Sequence, residues 1–103
     1  MKNTTRKLLG LLGLANKAGK LALGEKANKN LLKNKDTYLI ILASDMQQRN
    51  KFLFLKKGEE CKIPVKVFSN SSILGLALGF PPVKVIGFKS LSLFILIHPC
   101  KFL

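Results

Sequence analysis

The segment that most constrains the fold is Thr37–Ala43, TYLIILA, which is almost continuously apolar and rich in β-forming residues. A strand with one face in water alternates apolar and polar residues, whereas a strand buried on both faces is apolar throughout. We therefore predict a central strand that is covered by helices on both of its faces.

Helix and strand patterns alternate along the chain around this segment. Thr4 or Thr5 is expected to cap a first helix, which Gly19 ends; its apolar stripe is Leu8, Leu11, Leu12 and Ala15. The further predicted strands are Leu21–Leu23, Val65–Phe68 and Val83–Phe88, and the further predicted helices run from Gly24 to about Lys33, over about Met46–Lys57 and over Ile73–Leu78. The third helix is expected to be capped by Ser44-Asp45 and to end at Gly58. The fourth is expected to have its cap in Ser69–Ser72 and to end at Gly79. This alternation predicts an α/β fold, a three-layer α/β/α sandwich with a central mixed sheet of about four strands.

The C-terminal segment fits this alternation least. Ser90–Ile97 is compatible with a short helix or an edge strand, and His98-Pro99 would end either one. An exposed Leu93–Ile97 would promote aggregation, so we expect the segment to pack against the body. We predict a single domain over residues 1–103, with residues 89–103 as an atypical apolar end.

The charge of the chain is strongly positive and unevenly distributed. The net charge is +13, and residues 1–35 carry nine Lys or Arg residues against one acid, Glu25. A basic surface gives salt-dependent affinity for phosphate without sequence specificity. Nucleic acid is therefore the expected class of partner, although a compositional preference for Lys and Asn would produce the same excess.

The predicted second helix concentrates this charge on one face. Lys26, Lys29, Asn30 and Lys33 are spaced to share that face. Repulsion between Lys29 and Lys33, one turn apart, costs an isolated helix about 0.2–0.5 kcal/mol, and a bound polyanion would reverse that effect. The alternative is a solvated helix face. Asn30 is suited to pair with an exposed base edge, or it simply occupies the surface.

Chemistry-bearing residues are few. Cys61 and Cys100 lack metal-finger spacing, so we expect reduced thiols in a soluble, cytoplasmic protein. A Cys61–His98 pair or Asp45 after the central strand are weak catalytic candidates, and Cys61, His98 and Cys100 match no zinc module. The longest apolar run near the C-terminus, Leu91–Ile97, is far shorter than the roughly 20 residues that span a bilayer. We predict no enzymatic activity, no cofactor and no metal.

Four segments in order carry a family resemblance. They are LLGLANKAGKLALGE (Leu11–Glu25), LIILASD (Leu39–Asp45), IPV (Ile63–Val65) and ILGLALG (Ile73–Gly79). With this spacing, residues 5–88 resemble the kink-turn-binding ribosomal protein superfamily of the L-seven-Ae and L-thirty-e type. Within that superfamily the chain is most similar to the small bacterial YlxQ-like proteins.

The resemblance implies an RNA-binding edge formed by the start of the second helix and the loop after the fourth. The typical motif Gly-x-Asn-Glu-x-x-Lys corresponds to Gly24–Asn30, where Lys26, Ala27 and Asn30 replace its Asn, Glu and Lys. These replacements favour phosphate contact over base-specific reading. The residues expected to contact RNA are Lys20, Gly24, Glu25, Lys26, Lys29, Asn30, Lys33, Phe80, Pro81, Pro82 and Val83.

Two of these features have plainer explanations. Gly24 at a helix N-terminus suits a phosphate, but it also suits a simple tight turn. Phe80-Pro81-Pro82 would offer a flat surface to an extruded base, or it is a Pro-rich turn with Phe80 in the core.

The favoured hypothesis is a monomeric, non-catalytic protein that binds structured, kink-turn-like RNA, with ribosomal RNA and the ribosome as candidate partners and no role at a membrane. The alternative is a protein-interaction or membrane-surface module that uses the apolar end, Leu91–Leu103, together with the lysines. A third hypothesis makes the chain the RNA-recognition half of a modification system whose catalytic part is separate.

Overall fold

The computed structural model describes residues 3–79 and 81–89, with residues 3–5 described by their backbone alone. The helices and strands are α1 (Asn3–Lys17), β1 (Leu21–Leu23), α2 (Glu25–Asn34), β2 (Leu39–Leu42), α3 (Gln48–Cys61), β3 (Val65–Val67), α4 (Ser71–Leu78) and β4 (Val85–Phe88). The predictions for Phe80 and for the segment 90–103, including His98, Cys100 and the tail-docking alternative, lie outside the described residues.

The four strands form one mixed sheet in the order β1-β4-β2-β3. β2 runs parallel to β3 and antiparallel to β4, and β4 runs antiparallel to β1. All four residues of β2 are buried. The predicted central strand and mixed four-stranded sheet are confirmed.

Alternate residues of β2 face two separate cores. Leu39 and Ile41 pack with residues of α1 and α4. Ile40 and Leu42 pack on the other face with Leu32 of α2 and Phe54 of α3. Because helices cover both faces, every position of β2 must be apolar, and the predicted three-layer sandwich is confirmed.

The two ends of α1 were predicted with unequal success. Helix α1 begins at Asn3, so Thr4 and Thr5 lie inside its first turn and the prediction that either caps it was wrong. The apolar stripe stabilises the helix by packing, and packing does not determine the first residue. Gly19 ends the helix as predicted, with φ of 71° and with the N–H of Lys20 donating to the Ala15 carbonyl at 3.0 Å.

Gly58 lies within α3, so the prediction that it ends the helix was wrong. A Cβ at this position would come within 2.3 Å of the Val65 Cγ2 atom. Glycine is therefore needed because α3 lies directly on β3 here. The helix continues to Cys61 and ends at Lys62, which has φ of 60°. Among the described residues, no helix has the length and apolar character needed to cross a bilayer.

Candidate nucleic-acid interface

The ends of β1, β2 and β3 and the beginning of β4 meet at one edge of the sheet, which we call the carboxyl edge. The N–H of Gly24 donates to the Val85 carbonyl at 2.9 Å, and the N–H of Ala43 donates to the Lys84 carbonyl at 2.8 Å. The N–H of Ser44 donates to the Ser69 carbonyl at 2.7 Å. Helices α2 and α4 both begin at this edge.

The start of α2 has no side-chain cap. Its N-terminal flanking residue is Gly24, with φ of 99° and ψ of 162°, a conformation that is essentially restricted to glycine. The first N–H groups of a helix have no partner within the helix. Those of Glu25, Lys26 and Ala27 therefore point out of the carboxyl edge at the positive end of the helix dipole, where an anion is favoured.

The buried side-chain amide of Asn28 stabilises the turn between β1 and α2. Asn28 is fully buried, and its Nδ2 donates to the carbonyl of Gly24 at 2.7 Å and to that of Ala22 at 3.0 Å. Its Oδ1 has no hydrogen-bond partner within the described part of the chain. A Cβ on Gly87 would lie 1.8 Å from that Oδ1, so Asn28 occupies the space that Gly87 leaves open.

Sequence reasoning missed the role of Asn28. The available signal was a polar residue one turn before Leu32, on the buried side of a helix whose other face carries lysines. A buried amide is expected to make hydrogen bonds, and the nearby carbonyls of the β1–α2 turn are what it contacts.

The start of α4 is capped by two side chains. The Oδ1 of Asn70 accepts from the N–H of Ile73 at 2.9 Å. Asp45 accepts from the Oγ of Ser71 at 2.6 Å and from its N–H at 2.9 Å. These two bonds from Ser71 hold the pKa of the Asp45 carboxyl below its usual value, and the positive charge of Lys84 lowers it further.

The prediction that Asp45 caps the third helix was therefore wrong. Strand β2 delivers Asp45 to the carboxyl edge beside the start of α4, while α3 begins only at Gln48 and has no side-chain cap. The predicted cap of the fourth helix lies within Ser69–Ser72 as expected, at Asn70.

The loop after α4 reaches the carboxyl edge only at its far end. Gly79, with φ of 74°, follows the eight-residue helix α4 and so lies about 12 Å from the helix start. The chain then returns, because the N–H of Val83 donates to the Ser71 carbonyl at 3.0 Å. Pro81 and Pro82 are exposed, whereas the Val83 side chain is 9% exposed and packs in the core beneath α1 and α4.

The charged and polar residues that were predicted to contact RNA do not all lie at the carboxyl edge. Lys26 and Asn30 are exposed on α2, and Glu25 is half-buried in its first turn. Lys20 lies at the opposite end of β1, about 13 Å from Gly24, and its carbonyl accepts from the N–H of Lys89 at 2.9 Å.

Two further lysines of α2, Lys29 and Lys33, line a groove between α2 and α3. Lys84, which sequence reasoning did not single out, is exposed beside Val85, the residue that accepts from the Gly24 N–H. The sequence of this loop indicates a Pro-rich turn, and Lys84 belongs to no motif that would have marked it.

The thiol of Cys61 is half-buried and donates to the Leu32 carbonyl at 3.6 Å. Within residues 3–79 and 81–89, no group of three or more His, Cys, Asp or Glu side chains is arranged to hold a metal ion.

Comparison with known families identifies the chain. The model of the Ribosomal protein L7Ae/L30e/S12e/Gadd45 family matches residues 6–92. The chain belongs to this family. The predicted membership in the L-seven-Ae and L-thirty-e type is thereby confirmed. Among curated protein sequences, none matches the chain.

Solved structures with the same fold include two informative relatives. A protein of unknown function from Bacillus halodurans is 36% identical, with a TM-score of 0.87, over 91% of this chain and 95% of the other. A 15.5kD RNA binding protein from Giardia lamblia is 16% identical, with a TM-score of 0.82, over 97% of this chain and 86% of the other. The second likeness establishes a shared fold.

Proposed function

We propose that this member of the L7Ae/L30e/S12e/Gadd45 family is a non-catalytic RNA-binding protein that binds a structured, kinked RNA at its carboxyl edge. The observation that carries the proposal is the uncapped start of α2, held open at Gly24 beside the loop that ends at Lys84. The family match over residues 6–92 and the net charge of +13 support RNA as the ligand. Within this family, the sequence motifs support the further proposal that the chain is a YlxQ-like protein.

A phosphate at the start of α2 would receive the first-turn N–H groups and lie at the positive end of the helix dipole. Lys26 in the first turn of α2 and Lys84, next in the chain to the Val85 that accepts from Gly24, are both exposed and would neutralise the neighbouring phosphates. Glu25 partly opposes them, because its carboxylate lies in the same first turn. Two positive charges against one negative charge leave a net positive charge at this position, which favours a phosphate.

Shape is proposed to provide the specificity. Pro81 and Pro82 are exposed and conformationally fixed, and they would contact an unpaired base extruded from a kink. Asn30 is one turn along α2 from Lys26 and is available for a base edge. The Ala27 and Asn30 replacements favour backbone recognition, and ribosomal RNA is the proposed source of the kinked site. Lys20, on the opposite edge, would contact only an RNA that extends past β1.

The first test compares two RNAs by filter binding at one salt concentration. One RNA carries a kinked internal loop, and the other is a fully paired duplex of the same length. We expect the kinked RNA to bind at least about tenfold more tightly, since only it presents both a sharp phosphate turn and unpaired bases. Equal affinity would leave a nonspecific basic protein and contradict the proposal.

The second test locates the binding face by salt dependence. Replacing Lys26 and Lys84 by Ala should reduce the slope of log K against log salt by about one to two units, because roughly 0.7–0.9 of a counterion is released per neutralised phosphate. The matched control replaces Arg6 and Lys7, two exposed cations on α1 in the opposite layer. The same change in slope for both double variants would contradict binding at the carboxyl edge.

A further inference from the structure

A groove of about 370 Å³ lies between α2 and α3, in the layer opposite α1 and α4. Its lining consists of Lys29, Leu32 and Lys33 from α2 and Leu53, Phe54 and Lys57 from α3. This volume falls in the range of small-molecule sites, about 300–1,000 Å³. The groove lies along α2 from Lys29 onward, at least one helical turn past the uncapped start at Glu25.

The floor and one wall of the groove are apolar. Leu32 and Phe54 form the floor and are 1% and 2% exposed, because they also belong to the core between the sheet and these helices. Leu53 stands 45% exposed beside them. An apolar ligand body would remove the remaining exposed part of this surface from water, which is favourable in proportion to the area covered.

The polar lining of the groove is entirely cationic. Lys29, Lys33 and Lys57 line it, and no acidic side chain is present among the described lining residues. A neutral hydrocarbon would leave these ammonium groups without a counter-charge, and an inorganic anion would leave Leu53 in water. Only a ligand with both an anionic head and an apolar body matches the whole lining.

We propose that the α2–α3 groove binds a small organic carboxylate with a hydrocarbon body, the body lying on Leu32, Leu53 and Phe54 and the carboxylate lying among Lys29, Lys33 and Lys57. This site goes beyond RNA binding. Lys29 and Lys33 are also among the residues predicted from the sequence to contact RNA, whereas Leu53 and Lys57 belong only to this site. Variants of the two α3 residues therefore test the groove without altering the RNA edge.

Octanoate is a suitable probe, and the full chain labelled at Leu methyl groups is titrated with it by NMR. We expect saturable shifts at Leu32 and Leu53 with a Kd of about 1 mM or lower. Octanol, which has the body without the charge, should bind at least several-fold more weakly. Inorganic phosphate, which has the charge without the body, should leave these methyl groups unshifted. Octanol binding as tightly as octanoate, or phosphate giving the same shifts, would overturn the proposal.

Two pairs of neighbouring variants on α3 locate the ligand. Leu53→Glu should abolish octanoate binding, whereas Phe52→Glu, at a residue 63% exposed and outside the groove, should preserve it. Lys57→Ala should weaken binding by about two- to fivefold, and Lys56→Ala, also outside the groove, should not. Equal effects within either pair would show that octanoate binds elsewhere. RNA affinity of Leu53→Glu is measured in parallel, and its retention separates failure of this site from failure of the proposed RNA edge.

Discussion

Helices α2 and α4, two of those that begin at the carboxyl edge of the sheet, have starts of opposite character. At α4, Asn70 and Asp45 supply side-chain oxygens that accept from the N–H groups of Ile73 and Ser71. At α2, the flanking residue is Gly24 and no side chain accepts from the first turn. The two helix dipoles have the same orientation toward the edge, so the difference lies in the caps. In the proposed complex, an RNA phosphate does at α2 what Asp45 and Asn70 do at α4.

Although the α2 start lacks a side-chain cap, it is held in place by other hydrogen bonds. Asn28 binds the carbonyls of Ala22 and Gly24 rather than the N–H groups of the first turn. The turn is fixed from the carbonyl side while the N–H side stays open. Side-chain caps therefore order the start of α4, and the bonds from Asn28 to backbone carbonyls order the start of α2. Of these two arrangements, only that of α2 leaves the first-turn N–H groups available to an anion.

The placement of Asn28 against Gly87 is tested by Gly87→Ala, for which we expect the largest effect on stability. The added methyl group would meet the Asn28 Oδ1, so we expect a loss of about 3 kcal/mol in the free energy of unfolding. Denaturant unfolding measures it. The control is Gly10→Ala, since a Cβ there meets nothing within 4 Å and the helix should gain up to about 1 kcal/mol.

A double variant sharpens this result. In the Asn28→Ala background the obstructing oxygen is gone, so adding Gly87→Ala should cost far less than it does alone. If the cost of Gly87→Ala is the same in both backgrounds, Asn28 does not occupy the space beside Gly87.

The difference between the two helix starts is tested by Gly24→Ser and Asn70→Ala. Serine is a good cap elsewhere, but at φ of 99° it should cost about 2 kcal/mol in backbone strain. Asn70→Ala should cost about 1 kcal/mol through the lost bond to Ile73. Thermal unfolding compares the two. A stabilising Gly24→Ser would show that the α2 start merely lacks a cap and has no conformational need for glycine.

The smallest expected effect is a pH dependence confined to the α4 start. Folding lowers the pKa of Asp45 through the bonds from Ser71, so the carboxylate stabilises the fold above the pKa of the unfolded chain. That contribution is lost as the pH falls below about 4. The Tm difference between the wild type and Asp45→Asn should therefore shrink from pH 7 to pH 3. A difference that stays constant with pH would show that charge on Asp45 plays no part.

Local features of the fold could be predicted from the sequence. Strand Leu21–Leu23, the buried run of β2 and the helix ends at Gly19 and Gly79 follow from apolar runs and glycine positions a few residues apart. The open start of α2 was likewise predicted at Gly24, because a glycine before a lysine-bearing helix is a local pattern.

The remaining features depend on contacts between distant parts of the chain. Asp45 pairs with Ser71, 26 positions away, Gly58 accommodates Val65 across a helix–strand contact, and Asn28 fits against Gly87. None of these contacts leaves a periodic signal, since each side chain's partner is set by the sheet order. The same reason hid the groove, because the pattern of α2 alone does not show that Lys29 and Lys33 face α3.

The central claim is that RNA binds the open start of α2 and not the capped start of α4. NMR of the ¹⁵N-labelled full chain, titrated with the kinked RNA, tests this directly through the backbone amides at the two helix starts. We expect the amides of Glu25, Lys26 and Ala27 to shift strongly, while those of Ser71, Ser72 and Ile73 shift little. Large shifts at the α4 amides with unchanged α2 amides would contradict the account.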